Sequence, residues 1–408
     1  MDTKQIMQIL EDTAYIRTGG TAEELRCAEY ITNILAQWGL EGQIVPFDVP
    51  MADIQEAVLL VDGEEIPCNG YFCAGNGEVE APFYYLRNAD KYSLSQCKGK
   101  IVMIDTYLGC WIYQDLLENG AVGYITHSGE ANYPEKDIDQ RELRAYVHKG
   151  NRLPGVNINV RDAIALVAKG AVTAKIILKQ EEYVGKSHNV ILDLPGEVPE
   201  YISVTAHYDS TSLSQGVYDN MSGSVGILGI AEYFAKHPHR YGLRFIWCGS
   251  EERGLLGSKA YCAEEANVKD CVLNINLDMI GSIMGKFAAC CTTEEATVSY
   301  IQYMARETGF PIHAYQDVYS SDSSPFADKG VPAISFARWA PERTATIHNC
   351  HDTIAVMSGR QMAEDMEFLI SFTDRMANAK CCPVERTVPD NMKEKLDEYM
   401  GRKRSAKK

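Results

Sequence analysis

Short apolar runs alternate with helix-like segments from about residue 187 onward, and this alternation constrains the fold more than any other feature. Such a pattern predicts an α/β domain with a mixed, mostly parallel sheet sandwiched by helices. The predicted strands cover 187–194, 200–206, 243–248, 271–277 and 331–336. The predicted helices cover 220–236, 253–263, 294–308 and 359–377.

The stretch from 43 to 184 has a different texture. Short strand-like runs separated by turn residues dominate it, which is typical of a small β-rich module. Helix-like patterns at 3–18 and 22–38 precede it, and 408 residues are more than one compact core usually serves. We therefore expect a main domain at 1–42 and 185–380, an insertion at 43–184, and a short helix with a basic tail at 381–408.

Charge and cysteine usage exclude several classes of protein. The formal net charge of −17 argues against binding to nucleic acids or anionic membranes, because both need a basic surface. The chain shows neither a signal-peptide pattern nor an apolar run long enough to span a membrane. The thirteen scattered cysteines suggest no disulfide framework. We expect a cytoplasmic protein, and the sequence leaves its oligomeric state open.

Histidines and carboxylates follow the predicted strands at the points where these strands end. Because the carboxyl ends of parallel strands lie at one edge of an open α/β sheet, residues distant in sequence should converge there. Imidazoles and carboxylates are the ligands that zinc and similar divalent ions take, so a metal-dependent hydrolase is indicated. The candidate residues are His207, Asp209, Asp219, Glu251, Glu252, Asp278 and His348.

The pattern predicts a shared carboxylate between two metal ions. Asp219 lies in a glycine-bounded segment that lets the backbone turn close to the metals, and we expect it to bridge them. His207 and Asp278 would complete the coordination of the first ion, and Glu252 and His348 would complete that of the second.

Two neighbouring carboxylates have other predicted roles. Glu251 is expected to act as the general base that takes a proton from the attacking water. Asp209 points the same way as His207 along an extended chain and is expected to accept its second N–H, which would set the tautomer. His351 competes with His348 as a ligand, but the spacing to the following Asp-Thr pair favours His348.

An ordered series of motifs resembles the M28 family of zinc aminopeptidases. The resemblance covers about 187–377 and the N-terminal helices. It implies a zinc-peptidase type of fold, two Zn²⁺ ions (other divalent metals being possible), and exopeptidase action on peptides with a free N-terminus. The motifs are His207-x-Asp209, Asp219-Asn220-x-Ser222-Gly223, Glu251-Glu252-x-Gly254-x-x-Gly257-Ser258, Asn276-Leu277-Asp278-Met279-x-Gly281 and His348-x-x-x-Asp352-Thr353.

The inserted module has a resemblance of its own. The runs 98–102 and 118–123 resemble a protease-associated (PA) domain over about 45–182. The resemblance implies that this module lies between the N-terminal helices and the catalytic sheet. It carries no catalytic constellation, so we expect it to restrict access or to orient the substrate.

Candidates for the substrate pocket come from the same resemblance. Asp322 lies in a segment similar to the family's SDH-x-x-F run, although Ser323 stands where a histidine is frequent. Tyr319 is a candidate for stabilising the oxyanion. Arg338 and Arg343 are interpreted either as loop-bracing residues or as a fork for a substrate carboxylate.

The function that follows is a di-zinc aminopeptidase with an inserted PA domain. A single-zinc glutaminyl cyclase-like transferase is the alternative within enzymes, and metal stoichiometry would separate the two. A catalytically inactive PA-containing binding protein is the alternative outside enzymes. The complete set of ligands, together with Glu251, argues against an inactive protein.

Overall fold

The chain divides into two compact units in the computed structural model, which describes residues 1–105 and 108–404. The larger unit joins Met1–Val49 to Lys186–Lys408, and the smaller unit comprises Pro50–Gly185. The sequence pattern set the boundaries a few residues earlier, at 42/43 and 184/185. Long strands run through both junctions without a turn, so the change of texture in the sequence marks them only approximately.

The helices and strands are numbered in chain order. The helices are α1 (Thr3–Asp12), α2 (Ala22–Gln37), α3 (Lys91–Ser95), α4 (Cys110–Glu118), α5 (Ala145–His148), α6 (Val160–Lys169), α7 (Ser222–Phe234), α8 (Leu256–Ala263), α9 (Glu265–Val268), α10 (Glu295–Thr308), α11 (Ser323–Asp328), α12 (Gly359–Ala377) and α13 (Asp390–Tyr399). The strands are β1 (Gln43–Val61), β2 (Glu64–Ile66), β3 (Cys68–Gly70), β4 (Gly77–Leu86), β5 (Ile101–Ile104), β6 (Gly123–Ser128), β7 (Gly155–Asn159), β8 (Thr173–Leu194), β9 (Tyr201–His207), β10 (Gly242–Cys248), β11 (Cys271–Leu277), β12 (Lys286–Thr292), β13 (His313–Gln316) and β14 (Ala333–Trp339).

The larger unit is built on a mixed sheet with the strand order β13-β12-β14-β11-β9-β10-β8. Its centre is parallel, because β9 pairs in parallel with β10 and β11, and β11 pairs in parallel with β14. Antiparallel pairs occur where β8 joins β10 and where β12 joins β14. The predicted mixed, mostly parallel sheet is confirmed.

Helices cover both faces of this sheet. Successive side chains of a strand point to opposite faces. Along β10, Phe245 and Trp247 join the core cluster that contains α7, whereas Ile246 and Cys248 join a second cluster with residues of α8 and α11. A central strand buried on both sides reads as a continuous apolar run, which is why its sequence shows no alternation.

Small residues bring α7 close to the chain that leaves β11. A Cβ added at Gly226 would lie 2.6 Å from Cδ1 of Ile280, and one added at Gly223 would lie 2.4 Å from the carbonyl oxygen of Leu277. Glycine therefore permits a helix-to-strand approach that no larger residue allows here. This approach sets the distance between the residues before α7 and those after β11.

Several elements differ from the sequence prediction. The first helix ends at Asp12 rather than at residue 18. Just after this end, the Thr13 hydroxyl donates to the carbonyl oxygen of Ile9 at 2.7 Å. Strands β12 and β13 were not predicted. The β12 run is short and rich in small residues, and its burial comes from pairing with β14, which is a tertiary contact. In the C-terminal stretch α13 forms, and residues 405–408 of the predicted basic tail lie outside the described residues.

The smaller unit has its own sheet and core. Its strands follow the order β8-β4-β5-β6-β7-β3, with parallel pairing from β4 to β7 and antiparallel pairing at both ends. Helices α3 to α6 lie between these strands in the chain, so the module combines strands with short helices. Across the described residues of both units, each helix is too short or too polar to cross a membrane.

The approach of α7 predicts different costs at two of its glycines. Gly223→Ala should lower the free energy of unfolding by about 1–3 kcal/mol, because the new Cβ meets a backbone carbonyl that cannot move away freely. Gly229→Ala is the matched control, since its Cβ would meet the flexible thioether of Met366. Urea denaturation of both variants in chelator measures the difference. Equal unfolding midpoints for the two variants would contradict this account.

Candidate metal centre

The first cluster lies where β9 and β11 end. His207 is the last residue of β9 and Asp278 directly follows β11, so two adjacent parallel strands deliver them to the same edge of the sheet. Nε2 of His207 lies 3.8 Å from Oδ1 of Asp278 and 3.2 Å from Oδ1 of Asp219. All three side chains are buried.

A second cluster shares Asp219 with the first. Nε2 of His348 lies 3.1 Å from Oδ2 of Asp219 and 3.1 Å from Oε2 of Glu252. Each oxygen of the Asp219 carboxylate thus faces a different histidine. Within each group of three, the candidate ligand atoms lie within 4.8 Å of one another. The structure brings together the five residues that the sequence analysis named as ligands. His348 rather than His351 reaches Asp219.

The donor atoms fit divalent cations. Oδ1 of Asp278 is buried and has no hydrogen-bond partner among the described residues. An unsatisfied buried carboxylate oxygen is costly, and a cation at this point would satisfy it. Two imidazoles and three carboxylates are also the ligand types that zinc takes. The two clusters therefore have the composition and spacing of a metal centre with one shared carboxylate.

Asp352 braces the segment that carries Asp219. Its carboxylate accepts the backbone N–H of Tyr218 at 2.7 Å and that of Asp219 at 3.1 Å, and it also accepts the Ser214 hydroxyl at 3.3 Å. His348 and Asp352 lie close together in the same loop. This loop therefore supplies a candidate ligand and also holds the backbone of the shared Asp219. The sequence analysis named Asp352 as a motif residue without a role.

Asn220 joins the same segment to the chain around Asp278. Its Nδ2 donates to the carbonyl oxygen of Leu277 at 2.8 Å, and its Oδ1 accepts the backbone N–H of Met279 at 2.9 Å. These bonds flank Asp278 on both sides, so the backbones of two candidate ligands are tied together. The Asp-Asn pair in the motif was the available signal for this role.

Asp209 does not make the hydrogen bond that its spacing predicted. Its Oδ1 lies 3.5 Å from Nδ1 of His207, which is longer than a hydrogen bond of good geometry. The carboxylate instead accepts the backbone N–H groups of Glu251 at 2.9 Å and Glu252 at 3.2 Å. Asp209 therefore orients the glutamate pair.

Burial and mutual charge shift the titration of the cluster. Burial raises the pKa of Glu251 well above its ordinary value, and Glu252 adds to this although His207 opposes it. Burial would lower the pKa of His207, but the surrounding carboxylates, led by Glu251, raise it well above its usual value. Burial acts to raise the pKa of Asp219, yet contacts with His207 and His348 hold it below its usual range. Glu251 is thus the carboxyl group best suited to hold a proton.

Tyr319 and Asp322 differ in the contacts that they make, although burial raises the pKa of both groups. Burial, with the charge of Asp278, raises the pKa of the Tyr319 hydroxyl well above its ordinary value, so the group stays protonated. Its ring stacks on Trp339 with 6.4 Å between centroids. Asp322 is fully buried and accepts the Ser258 hydroxyl, and burial raises its pKa to about 7. Asp322 is thus held by the chain's own Ser258 and has no exposure to solvent.

The guanidinium of Arg338 is already engaged. It donates through Nε and Nη2 to the carboxylate of Asp365 and through Nη1 to the carbonyl oxygen of Gly285, and it lies over the ring of Phe287. The fork that the sequence analysis offered to a substrate carboxylate is therefore occupied by the chain's own aspartate. Of the two interpretations, the contacts fit the brace. Ser323 is also buried and accepts the Ser335 hydroxyl at 2.7 Å.

Comparisons with known proteins agree with this arrangement. Residues 189–373 match the model of Peptidase family M28. Aminopeptidase YwaD of Bacillus subtilis (strain 168) is 28% identical over 377 residues, which are 85% of this chain and 78% of that protein. Leucine aminopeptidase 2 of Arthroderma otae is 29% identical over 355 residues, covering 80% of this chain and 70% of the relative.

Solved structures share the fold. BSAP, a zinc aminopeptidase from Bacillus subtilis, superimposes with a TM-score of 0.77 at 23% identity, over 95% of this chain and 99% of that one. The glutaminyl cyclase of Porphyromonas gingivalis gives a TM-score of 0.52 at 13% identity, over 92% and 98% of the two chains. Fold similarity alone therefore does not separate the two enzyme classes. Residues 189–373 are similar to Peptidase family M28, and the named aminopeptidase relatives support a peptide hydrolase.

Proposed function

We propose that this chain is a metallo-aminopeptidase that uses two divalent ions, most simply Zn²⁺, to remove residues from the N-terminus of peptides. The observation that carries the proposal is the Asp219 carboxylate, whose two oxygens lie 3.2 Å and 3.1 Å from two different histidines. His207 and Asp278 would hold one ion with Asp219, and Glu252 and His348 the other.

The residues around the centre have chemistry that suits peptide hydrolysis. When bound by these residues, two divalent ions would supply Lewis-acid polarisation of a scissile carbonyl and would lower the pKa of a water molecule. Glu251 accepts the proton from the attacking water and returns it to the leaving amine, and the burial that raises its pKa favours the protonated form between the two transfers. Asp209 orients Glu251 through its backbone N–H. The protonated hydroxyl of Tyr319 is a candidate donor to the oxygen that gains negative charge.

Preference for a free N-terminus follows from surplus negative charge. The motifs around the centre contribute seven carboxyl groups against the four positive charges of two divalent ions, and charge interactions are stronger at a largely buried site than in water. These residues are Asp209, Asp219, Glu251, Glu252, Asp278, Asp322 and Asp352. An α-ammonium group beside the scissile bond would be attracted to these carboxylates, and an acetylated terminus would not. The occupied guanidinium of Arg338 supports the same choice, because it leaves no fork there for a terminal carboxylate.

The two compact units support a two-domain organisation. We propose that the larger unit is the catalytic domain and that the smaller unit is a PA-like module that restricts access to the centre or orients the substrate. Among the described residues no disulfide joins any two cysteines, which supports the proposal of a reducing, cytoplasmic location.

A glutaminyl cyclase-like transferase remains the second candidate, since its fold is similar. The group formed by Asp219, Glu252 and His348 favours the two-metal peptidase over the single-zinc enzyme.

Metal content tests the centre directly. Protein purified without chelator should contain two zinc equivalents per chain by elemental analysis, because both clusters supply a complete set of three ligands. His348→Ala should retain one tight ion, since it leaves the His207 cluster intact. His351→Ala is the matched control and should retain two. A wild-type chain that takes up a single ion on titration contradicts the two-metal proposal.

The adjacent glutamates should separate catalysis from metal binding. Glu251→Gln should keep both metals and lose roughly 10²–10⁴ in kcat, because it removes the proton carrier. Glu252→Gln is the matched neighbour and should instead weaken one metal site. Steady-state kinetics with metal analysis of each variant measures this. Near-normal turnover by Glu251→Gln would refute its role as the base.

Blocked peptides test the reaction. An unblocked peptide and its C-terminally amidated form should be shortened from the N-terminus one residue at a time, and the N-acetylated form should resist. Mass spectrometry of the products reads the outcome. Loss of activity on amidation alone would indicate a carboxypeptidase. Loss of ammonia from an N-terminal glutamine, without shortening of the peptide, would indicate the cyclase.

A further inference from the structure

Arg17 is a buried arginine whose described partners are carbonyl oxygens and no carboxylate. Its side chain is fully buried in the larger unit. Nε donates to the carbonyl oxygen of Tyr208, Nη1 donates to those of Thr13, Tyr15 and Gln215, and Nη2 donates to that of Gly216 at 2.6 Å. A buried charge persists only when its donors are satisfied, so these carbonyl oxygens define its position closely.

The distant acceptors of Arg17 all belong to one segment, which runs from Tyr208 to Gly216. This segment starts directly after His207 and ends shortly before Asp219. The backbone of Arg17 binds the same segment, because its N–H donates to the Ser210 hydroxyl at 3.1 Å. One residue therefore holds both ends of the connection between two candidate ligands.

Gly216 allows the guanidinium to approach the backbone. Its φ of +55° lies in the left-handed region that favours glycine. A Cβ at this position would lie 2.7 Å from the carbonyl oxygen of Asp219 and 3.1 Å from Nη2 of Arg17. The Gly216 carbonyl oxygen also accepts the backbone N–H of Met221 at 3.0 Å, so the arginine and the turn around Asp219 meet at one atom.

Arg17 and Asp352 hold successive parts of the same loop. Arg17 binds the carbonyl oxygens of Gln215 and Gly216, and Asp352 binds the N–H groups of Tyr218 and Asp219. Ser214 connects the two, since its hydroxyl accepts the N–H of Gly216 and donates to Asp352. The Arg17 guanidinium thus donates to carbonyl oxygens of the loop, and the Asp352 carboxylate accepts its N–H groups.

We propose that Arg17 is a positioning residue for the metal centre, which sets the spacing of His207 and Asp219 by clamping the segment between them. The inference rests on the proposed function only through the presence of that centre. Arginine is required because its planar guanidinium presents five donors in a rigid fork, whereas lysine presents three from a single point. A lysine at this position offers three donors from one nitrogen, so it would satisfy fewer of the five carbonyl oxygens that Arg17 binds.

Zinc affinity of the metal-stripped protein tests the proposal. Competition with a chromogenic chelator measures it for the wild type, Arg17→Lys and Arg17→Met. Both variants should lose roughly 10–100-fold in affinity, as is typical when a residue that orients metal ligands is removed. The zinc-induced rise in Tm should shrink in parallel, since that rise depends on affinity.

Arg244→Met is the matched control. Arg244 is a partly buried arginine of the same unit that pairs with Asp193 and lies over the ring of Tyr201, and none of its described partners is a candidate ligand. This variant should lower Tm in chelator and keep wild-type zinc affinity. The comparison separates general loss of stability from loss of ligand positioning.

The outcomes distinguish the two proposals. Wild-type zinc affinity in a folded Arg17→Lys, verified by circular dichroism, would overturn the role of Arg17 and leave the proposed function intact. A wild-type chain that binds no zinc would overturn both. If Arg17→Met does not fold, the affinity of Arg17→Lys decides the matter alone.

Discussion

The shared carboxylate of Asp219 is the interaction on which the rest of the centre depends. Two histidines that are distant in sequence, His207 and His348, approach its two oxygens. That geometry requires the backbone around Asp219 to be held from several sides. Asp352 holds its N–H groups, Asn220 ties it to the chain flanking Asp278, and Arg17 fixes the segment that leads to it. The position of the shared carboxylate is therefore determined largely by residues that would not touch a metal.

The sheet makes this convergence possible at low cost. Adjacent parallel strands end at the same edge, so β9 and β11 deliver His207 and Asp278 without any special loop. The shared aspartate reaches the same edge from the start of α7, which packs closely because Gly223 and Gly226 carry no side chain. Rigid packing of helix on sheet thus determines how precisely the ligand groups can be placed.

Partner choice among polar residues is where the tertiary structure adds most to the sequence analysis. Spacing predicted that Asp209 would accept a hydrogen bond from the imidazole of His207. The carboxylate instead accepts the backbone N–H groups of Glu251 and Glu252. Arg338 is bound to Asp365, which lies on α12. Asp322 is fully buried and accepts the Ser258 hydroxyl. Each side chain had several chemically acceptable partners, and sequence spacing does not rank partners that belong to other elements.

The amino-acid sequence by itself determined the alternation of strands and helices, and with it the mixed parallel sheet, because strand and helix periodicities are local. It also determined that His207 ends one strand and that Asp278 follows another. Only the tertiary structure decided that β12 and β13 join the sheet, that the first helix stops at Asp12, and that Arg17 turns inward to the loop before Asp219. These features depend on contacts between distant segments, which local periodicity does not encode.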